Sequence, residues 1–462
     1  MRRFLLDKLL DWKERFNRHP LILRGARQVG KTYLVREFAK TAFQNYIEVN
    51  FEESSELSSL FRSKNPGIIC ELLTSKYSMP VIDGKTLLFF DEIQAAEPFV
   101  FESLRYFHEK RPNLHVIAAG SLLEFMLNRQ DEKGGNRFPM PVGRIEYMYV
   151  QPLDFEEFLV ATGNTGLWDF LQTFSVGNEL PEALHSELLL WLKRYMSIGG
   201  MPAVVNAYLS GKILDAEREQ QIKLSTYYDD FPKYGRHASP AMLQKVFTAI
   251  PSLLGQKLVY SRIDNSVKSN DISKTFECLR QARVVAKVQH TPANGIPIGY
   301  DSDEKRFKPL FLDVGLACRT LGLNLSDFDS DGDALLKNRG ELCEQFIGQH
   351  LLNLGNEFEE PRAYCWIREE RNASAEVDYI IQVGNNIIPV EVKSGRAGSM
   401  KGLHIFLNEK HRDFAVRFNA DMPSLLKDAM VQDTLGHDCR FSLLSLPMYM
   451  VCQLKRLLRE TK

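Results

Sequence analysis

The sequence predicts a multidomain α/β protein, led by a parallel sheet with helices on both faces and closed by a second α/β domain. Three observations predict it. Residues 18–150 alternate short apolar runs with helically spaced segments, the pattern of strands joined by crossover helices. A glycine-rich octamer directly follows the first apolar run and leads into a helical pattern. A chain of 462 residues exceeds what one hydrophobic core supports, so roughly two to four domains are expected.

Taken in order, MRRFLLDKLLDWKERF reads as an amphipathic helix with Phe4, Leu5, Lys8, Leu9 and Trp12 near one face. Strands are expected at LILRG (21–25), NYIEVNF (45–51), LLFFDE (87–92) and HVIAAGS (115–121), with helices YLVREFAKTA and FVFESLRYFHEK between them. After Gly143 the alternation stops. Residues 153–235 look mainly helical, broken at SIGGMP (197–202), where paired glycines and a proline force a turn. Residues 236–320 read as two helices, KVFTAIPSLL and DISKTFECLRQAR, then a hairpin of VVAKVQH and PLFLDVG. The acidic, polar stretch LSDFDSDGDA (325–334) is a linker candidate. Beyond it, ELCEQFIGQHLLNL is a helix, and AEVDYIIQV and NIIPVEVKS form a second hairpin. The expected domains are 1–152, a helical subdomain at 153–235, a winged-helix-like segment at 236–324 and a C-terminal α/β domain at 335–462.

Apolar residues at 44% and charged residues at 25% describe an ordinary globular chain. Seven scattered cysteines, with no C-x-x-C pair, match a reducing compartment. No apolar run approaches the roughly 20 residues that span a bilayer, and Asp7, Lys8 and Asp11 interrupt any signal-peptide core. The expectation is a cytoplasmic protein without a membrane partner. The net charge of −1 conceals an excess of six Lys and Arg within residues 236–320. Ile272, Phe276 and Leu279 recur at helical spacing and face a core, leaving Lys274, Arg280 and Arg283 largely elsewhere, while Lys305, Arg306 and Lys308 crowd the hairpin loop. Such a segment would meet double-stranded DNA with a recognition helix and a basic wing. A solvated basic surface, or a winged helix used to pack domains, fits the same residues equally well.

Gly25, Ala26, Arg27, Gln28, Val29, Gly30, Lys31 and Thr32 fit G-x-x-x-x-G-K-[ST] at every fixed position, between a strand and a helix. Glycines let backbone N–H groups turn inward around a β-phosphate, and the new helix presents its positive end there. Lys31 reaches the β- and γ-phosphates of ATP, and the Thr32 hydroxyl is placed for Mg2+. The buried strand LLFFDE ends in two acids, an expensive arrangement unless a cation is near. Asp91 fits the magnesium shell and Glu92 the base that polarises the attacking water. Ser121, ending the HVIAAGS strand, is placed either to touch the γ-phosphate or the water, or to serve as a strand-to-loop serine. Arg144 is the candidate for the arginine that stabilises transition-state charge, in cis or from a neighbouring subunit of a homo-oligomer; a surface ion pair explains it equally.

GARQVGKT, LLFFDEIQ, AAGS, then GR followed by QPLDFEEF together resemble the bacterial and archaeal AAA-type P-loop ATPases that carry a C-terminal domain of unknown function. The resemblance continues through SIGGMPAVV, FLDVGLA and EVDYII with IIPVEVKSG. It departs at Gly-Ser-Leu-Leu (120–123), where the family often has a run of serines. The resemblance implies ATP and Mg2+ as cofactors and ATP hydrolysis as the activity.

Asp378, Glu391 and Lys393 lie on two successive strand patterns, and an upstream helix supplies Glu344. Alternation puts Glu391 and Lys393 on one face. The set resembles the PD-(D/E)XK nuclease core of restriction endonucleases, which implies carboxylates on a metal and a lysine supporting the attacking water. Such cores also persist as inactive binding modules. Two functions follow: an ATPase coupled to a nucleic-acid-directed nuclease-like module, or a nucleotide-gated switch that binds protein or DNA without cleaving. A small-molecule kinase, the third class with this loop, has no need of the trailing segments.

Overall fold

The computed structural model describes residues 1–461 apart from 122, 128–140, 142, 235–237, 325–338, 371–372, 395–399 and 435. The linker expected at 325–334 therefore lies outside the described residues. The chain folds into two compact units: Met1–Pro152 with residues 281–283 and 356–360, and the remainder of 153–462.

The first unit holds a five-stranded sheet. Its strands are β1 (Leu21–Arg24), β2 (Asn45–Asn50), β3 (Thr86–Asp91), β4 (His115–Ala119) and β5 (Glu146–Tyr149), in the order β2-β3-β4-β1-β5. Every pairing is parallel. Leu87, Leu88, Phe89 and Phe90 are all fully buried, as a parallel strand covered on both faces requires. One face packs Ile22, Val49, Phe90, Val116 and Ala118 against Phe101, Leu104 and Phe107 of the helix Pro98–Lys110. The helix Leu5–Glu14 buries Leu9 and Trp12, the apolar face expected of it. Because all strands run the same way, their C-terminal ends share one edge of the sheet, where open α/β sheets place their ligands.

The second unit opens with helices, among them Phe155–Ala161, Glu182–Ile198, Pro202–Leu209 and Ile213–Asp230. QPLDFEEF forms a capping box: Asp154 accepts from the Glu157 N–H at 2.7 Å, and Glu157 accepts from the Asp154 N–H at 3.3 Å. The unit's sheet has eight strands: β6 (Val285–His290), β7 (Asp303–Phe311), β8 (Ala363–Glu370), β9 (Ala373–Val383), β10 (Asn386–Val392), β11 (Phe414–Asn419), β12 (Ser424–Gln432) and β13 (Asp438–Pro447). Their order is β12-β13-β11-β10-β9-β8-β6-β7. The sequence separates the hairpin β6–β7 from the C-terminal strands, but β6 pairs in parallel with β8, Val288 opposite Ala363. One sheet thus runs across the boundary expected at 324–335. PLFLDVG, read as strand, is strand only to Phe311; Asp313 then caps the helix Val314–Thr320. A carboxylate at that position competes for helix N–H groups and ends the ladder. Among the described residues, no helix is long and apolar enough to cross a membrane.

Candidate functional sites

The octamer 25–32 wraps from β1 into the helix Lys31–Ala42. A Cβ at Gly25 would collide with the Val150 carbonyl oxygen, so only glycine lets the loop pass there. Gly30 caps the helix at φ 94, a left-handed conformation that glycine adopts without penalty. Lys31 is buried, its Nζ donating to the carbonyls of Gly25 at 3.0 Å and Ala26 at 2.8 Å. Burial pulls its pKa down to about 8, against the opposing pull of Glu92 and Asp91.

Thr32 Oγ1 donates to Asp91 Oδ2 at 2.9 Å, and the Glu92 N–H donates to Asp91 Oδ1 at 3.1 Å. Burial still pushes the Asp91 carboxyl up to about 6, outweighing the hydrogen bond from Thr32. A hydroxyl and a hard carboxylate side by side are the donor types Mg2+ takes, and a cation there would favour the ionised form. Glu92 adopts φ 47, outside β3, and accepts from Gln94 Nε2. Gln94 was not singled out by the sequence. Its side chain lies where a Cβ on Gly120 would fall, so it links the end of β3 to the end of β4. Ser121, buried, follows β4 at the same edge. Lys31, Thr32, Asp91, Glu92 and Ser121 therefore all lie at the C-terminal edge of the sheet.

Arg144 does not join them. β5 runs parallel to β1 with Glu146 opposite Leu21, so a residue preceding β5 lies at the far edge, with the roughly 13 Å length of β1 between it and the loop. There Arg144 Nε donates to Glu109 Oε1 at 3.1 Å and Nη1 to the Gly143 carbonyl at 3.1 Å. Arg144 and the phosphate loop thus stand at opposite edges of the sheet. Arg3 is instead the buried arginine nearest the loop's backbone, donating to the Val29 carbonyl at 2.9 Å and the Gln151 carbonyl at 2.8 Å. Its only sequence signal is a place just ahead of an amphipathic helix.

In the second unit, β9 and β10 pair with Val390 opposite Tyr379, which sets Asp378 opposite Glu391. Asp378 Oδ2 accepts from the Val392 N–H at 2.8 Å, and Lys393 Nζ pairs with Glu391 Oε1. Glu344 comes from the helix Gly340–Asn353. The sequence placed Lys308 on a basic wing; it is 1% exposed. Its Nζ lies 3.0 Å from Glu344 Oε2, 2.8 Å from Glu376 Oε1 and 3.5 Å from Asp378 Oδ1. The physical reason is the sheet: β7 turns its 307–311 segment inward, and an ammonium there needs carboxylates about it. Burial first, and then the Asp378 charge, push both Glu344 and Glu391 up to about 8. Burial disfavours the Lys308 ammonium, yet Glu344, Asp378 and Glu376 together hold its pKa well above the ordinary lysine range. Glu391 Oε2 is buried with no hydrogen-bond partner. Among the described residues, no three His, Cys, Asp or Glu side chains meet in a way that holds a metal ion.

Much of the basic segment is charge-paired, in part by Glu369 of β8. Ile272, Phe276 and Leu279 are core residues as expected. Arg280 and Lys287 pair with Glu277, Lys257 and Arg306 with Glu369, and Lys245 with Asp264.

Residues 17–159 match the family model described as an AAA domain. Residues 190–327 and 339–431 match two models described as domains of unknown function. No curated protein matches the chain. Among solved structures, a Walker-type ATPase of Pyrococcus abyssi is similar at 18% identity over 70% of this chain and 95% of that one, with TM-score 0.43. The ORC1 protein of Aeropyrum pernix in complex with DNA aligns at 13% identity over 71% and 90%, TM-score 0.26. AMPPCP-bound DnaA from Aquifex aeolicus aligns at 14% over 60% and 85%, TM-score 0.29. The match to the AAA-domain model thus coincides with the five-stranded parallel sheet and the glycine-rich loop of the first unit.

Proposed function

We propose that this chain is a magnesium-dependent ATPase whose nucleotide state acts on a nucleic-acid-directed, nuclease-like C-terminal module. The observation that carries the first half is the Thr32–Asp91 hydrogen bond of 2.9 Å beside the buried Lys31. In this reading the backbone of residues 25–30 cradles the phosphates, and Lys31 neutralises charge on the β- and γ-groups. Thr32 and Asp91 would hold Mg2+, which offsets phosphate charge when bound. Glu92 takes a proton from the attacking water, with Gln94 orienting its carboxylate, and Ser121 faces the γ-phosphate or that water. Arg144 enters only from a neighbouring subunit of a homo-oligomer. Double-stranded DNA, met by residues 236–324, is the proposed partner, and the seven free cysteines suit a cytoplasmic setting.

The test is ATP turnover with Mg2+: Lys31→Ala abolishes binding and hydrolysis, whereas Glu92→Gln binds ATP and stalls. Turnover intact in Lys31→Ala would falsify the assignment. A second reading is favoured by Lys308 amid the carboxylates: the C-terminal module binds DNA or protein under nucleotide control and does not cleave. A cleavage assay with Mg2+ or Mn2+ separates the two, since cleavage lost in Asp378→Ala and Glu391→Ala supports a nuclease.

A further inference from the structure

We propose that Lys308 is the resident cation of the carboxylate cluster, gathering Glu344, Asp378 and Glu376 about one ammonium so that the native chain takes up no divalent ion there. The inference rests on the second reading above. It adds the reason that such a core would not cleave, and names the residue responsible.

Lys308 sits in the most buried stretch of β7, between Phe307 and Pro309, where every residue from 307 to 311 is buried. A lysine in such a run is strongly disfavoured unless its charge is matched. Here it is matched by carboxylates from separate elements: the helix Gly340–Asn353 gives Glu344, and β9 gives Glu376 and Asp378. The N···O separations of 2.8 and 3.0 Å are those of charge-assisted hydrogen bonds. The ammonium also stands 5.6 Å from the ring centroid of Tyr379, whose hydroxyl donates to the Glu344 carbonyl at 2.8 Å. A lysine so enclosed is held from three sides.

A divalent ion uses the same oxygens at about 2.1 Å. It cannot approach Glu344 Oε2 and Asp378 Oδ1 while the ammonium shares them, because two cations would then stand in contact in a low-dielectric site. Lys308 and the ion are therefore alternatives. One acceptor is left over: Glu391 Oε2, buried and without a partner. As they stand the carboxylates form no metal-holding group; with Lys308 gone they are free to close on an ion, and this oxygen would add to it.

The experiment uses the full chain without nucleotide and Mn2+ alone as the probe, counted by electron paramagnetic resonance. Wild type and Asp378→Asn should bind equal Mn2+. Lys308→Met should gain one equivalent, lost again in Lys308→Met/Asp378→Asn. An extra equivalent in wild type over Asp378→Asn overturns the proposal, as does a cooperatively melting Lys308→Met that gains none. Should Lys308→Met fail to fold, Lys308→Met/Glu376→Gln keeps the cluster's formal charge and carries the same two outcomes. The ATPase reading is decided separately by Lys31→Ala, and cleavage by the nuclease assay, so each can fail alone.

Discussion

The backbone N–H of Gly200 donates to Asp313 Oδ2 at 2.7 Å, while Asp313 Oδ1 accepts from the Leu316 N–H at 3.0 Å. One carboxylate thereby caps the helix Val314–Thr320 and pins the turn that follows Glu182–Ile198. A Cβ on Gly199 would strike that carboxylate, one on Gly200 the Leu153 carbonyl, and one on Gly315 the Ile198 backbone. SIGGMP and FLDVGLA, separate signatures in the sequence, are two halves of one packed joint.

Asp313→Ala should therefore destabilise the second unit. It removes a helix cap and leaves the buried Gly200 N–H without its acceptor, together about 2–4 kcal/mol. Urea denaturation reads the loss as a lower midpoint at unchanged slope. An unmoved midpoint would mean that the joint contributes no net stability.

ATP affinity should weaken as pH rises through about 8, where burial has brought the Lys31 pKa. The ammonium form is the one that attracts phosphate, so raising pH removes the binding form rather than creating it. Titration of ATP binding between pH 7 and 9.5 checks this, and affinity flat across that range speaks against it. Glu92→Gln, tested at pH 7.5, should lower kcat by about 10²–10⁴-fold with ATP binding retained.

The carboxyls pushed up by burial make stability pH-dependent in the opposite direction from a surface salt bridge. Burial and then the Asp378 charge push the Glu391 carboxyl up to about 8 in the fold, from the ordinary 4.5 it regains on unfolding. The folded state therefore holds more protons across that window, and stability present below about 4.5 is lost as pH rises towards 8. Glu344, pushed up to about 8 as well, adds to the slope. Melting temperature should fall between pH 5 and 8 and fall less in Glu391→Gln. A variant with the wild-type slope would refute the assignment to this carboxyl.

Arg144→Ala should leave turnover unchanged in dilute protein, because the residue pairs with Glu109 at the far edge of its own sheet. If ATPase activity per chain rises with concentration, and Arg144→Ala removes that rise alone, a neighbouring subunit supplies the arginine.

The nucleotide edge was legible because local chemistry dictates it. Gly25, Gly30, Lys31 and Thr32 owe their placement to a strand, a turn and a helix contiguous in sequence, and Asp91 to the end of a separate, wholly buried strand. Arg144 stayed open between a cis role, a trans role and an ion pair because its position depends on the direction of β5, and periodicity does not report direction. Lys308 was misread because a basic residue near a hairpin looks solvated until strand pairing is known. Its partners, Glu344, Glu376 and Asp378, are 36 to 70 residues away. Arg3 and Gln94 lacked any repeating signal: Arg3 acts through bonds to the distant Val29 and Gln151 carbonyls, and Gln94 through one bond to Glu92.

The pairing of β6 with β8 bears on how such a chain is inherited. Two family models divide it, one covering 190–327 and the other 339–431, yet the hydrogen-bonded ladder passes from Val288 to Ala363 across that division. A gene fragment beginning at residue 335 would encode β8 with an open edge and Glu344 without Lys308. Recombination at the linker would accordingly deliver a half-sheet that partners badly with any new neighbour. The transferable cassette is the longer one, and the segments on either side of the linker are expected to travel through genomes together.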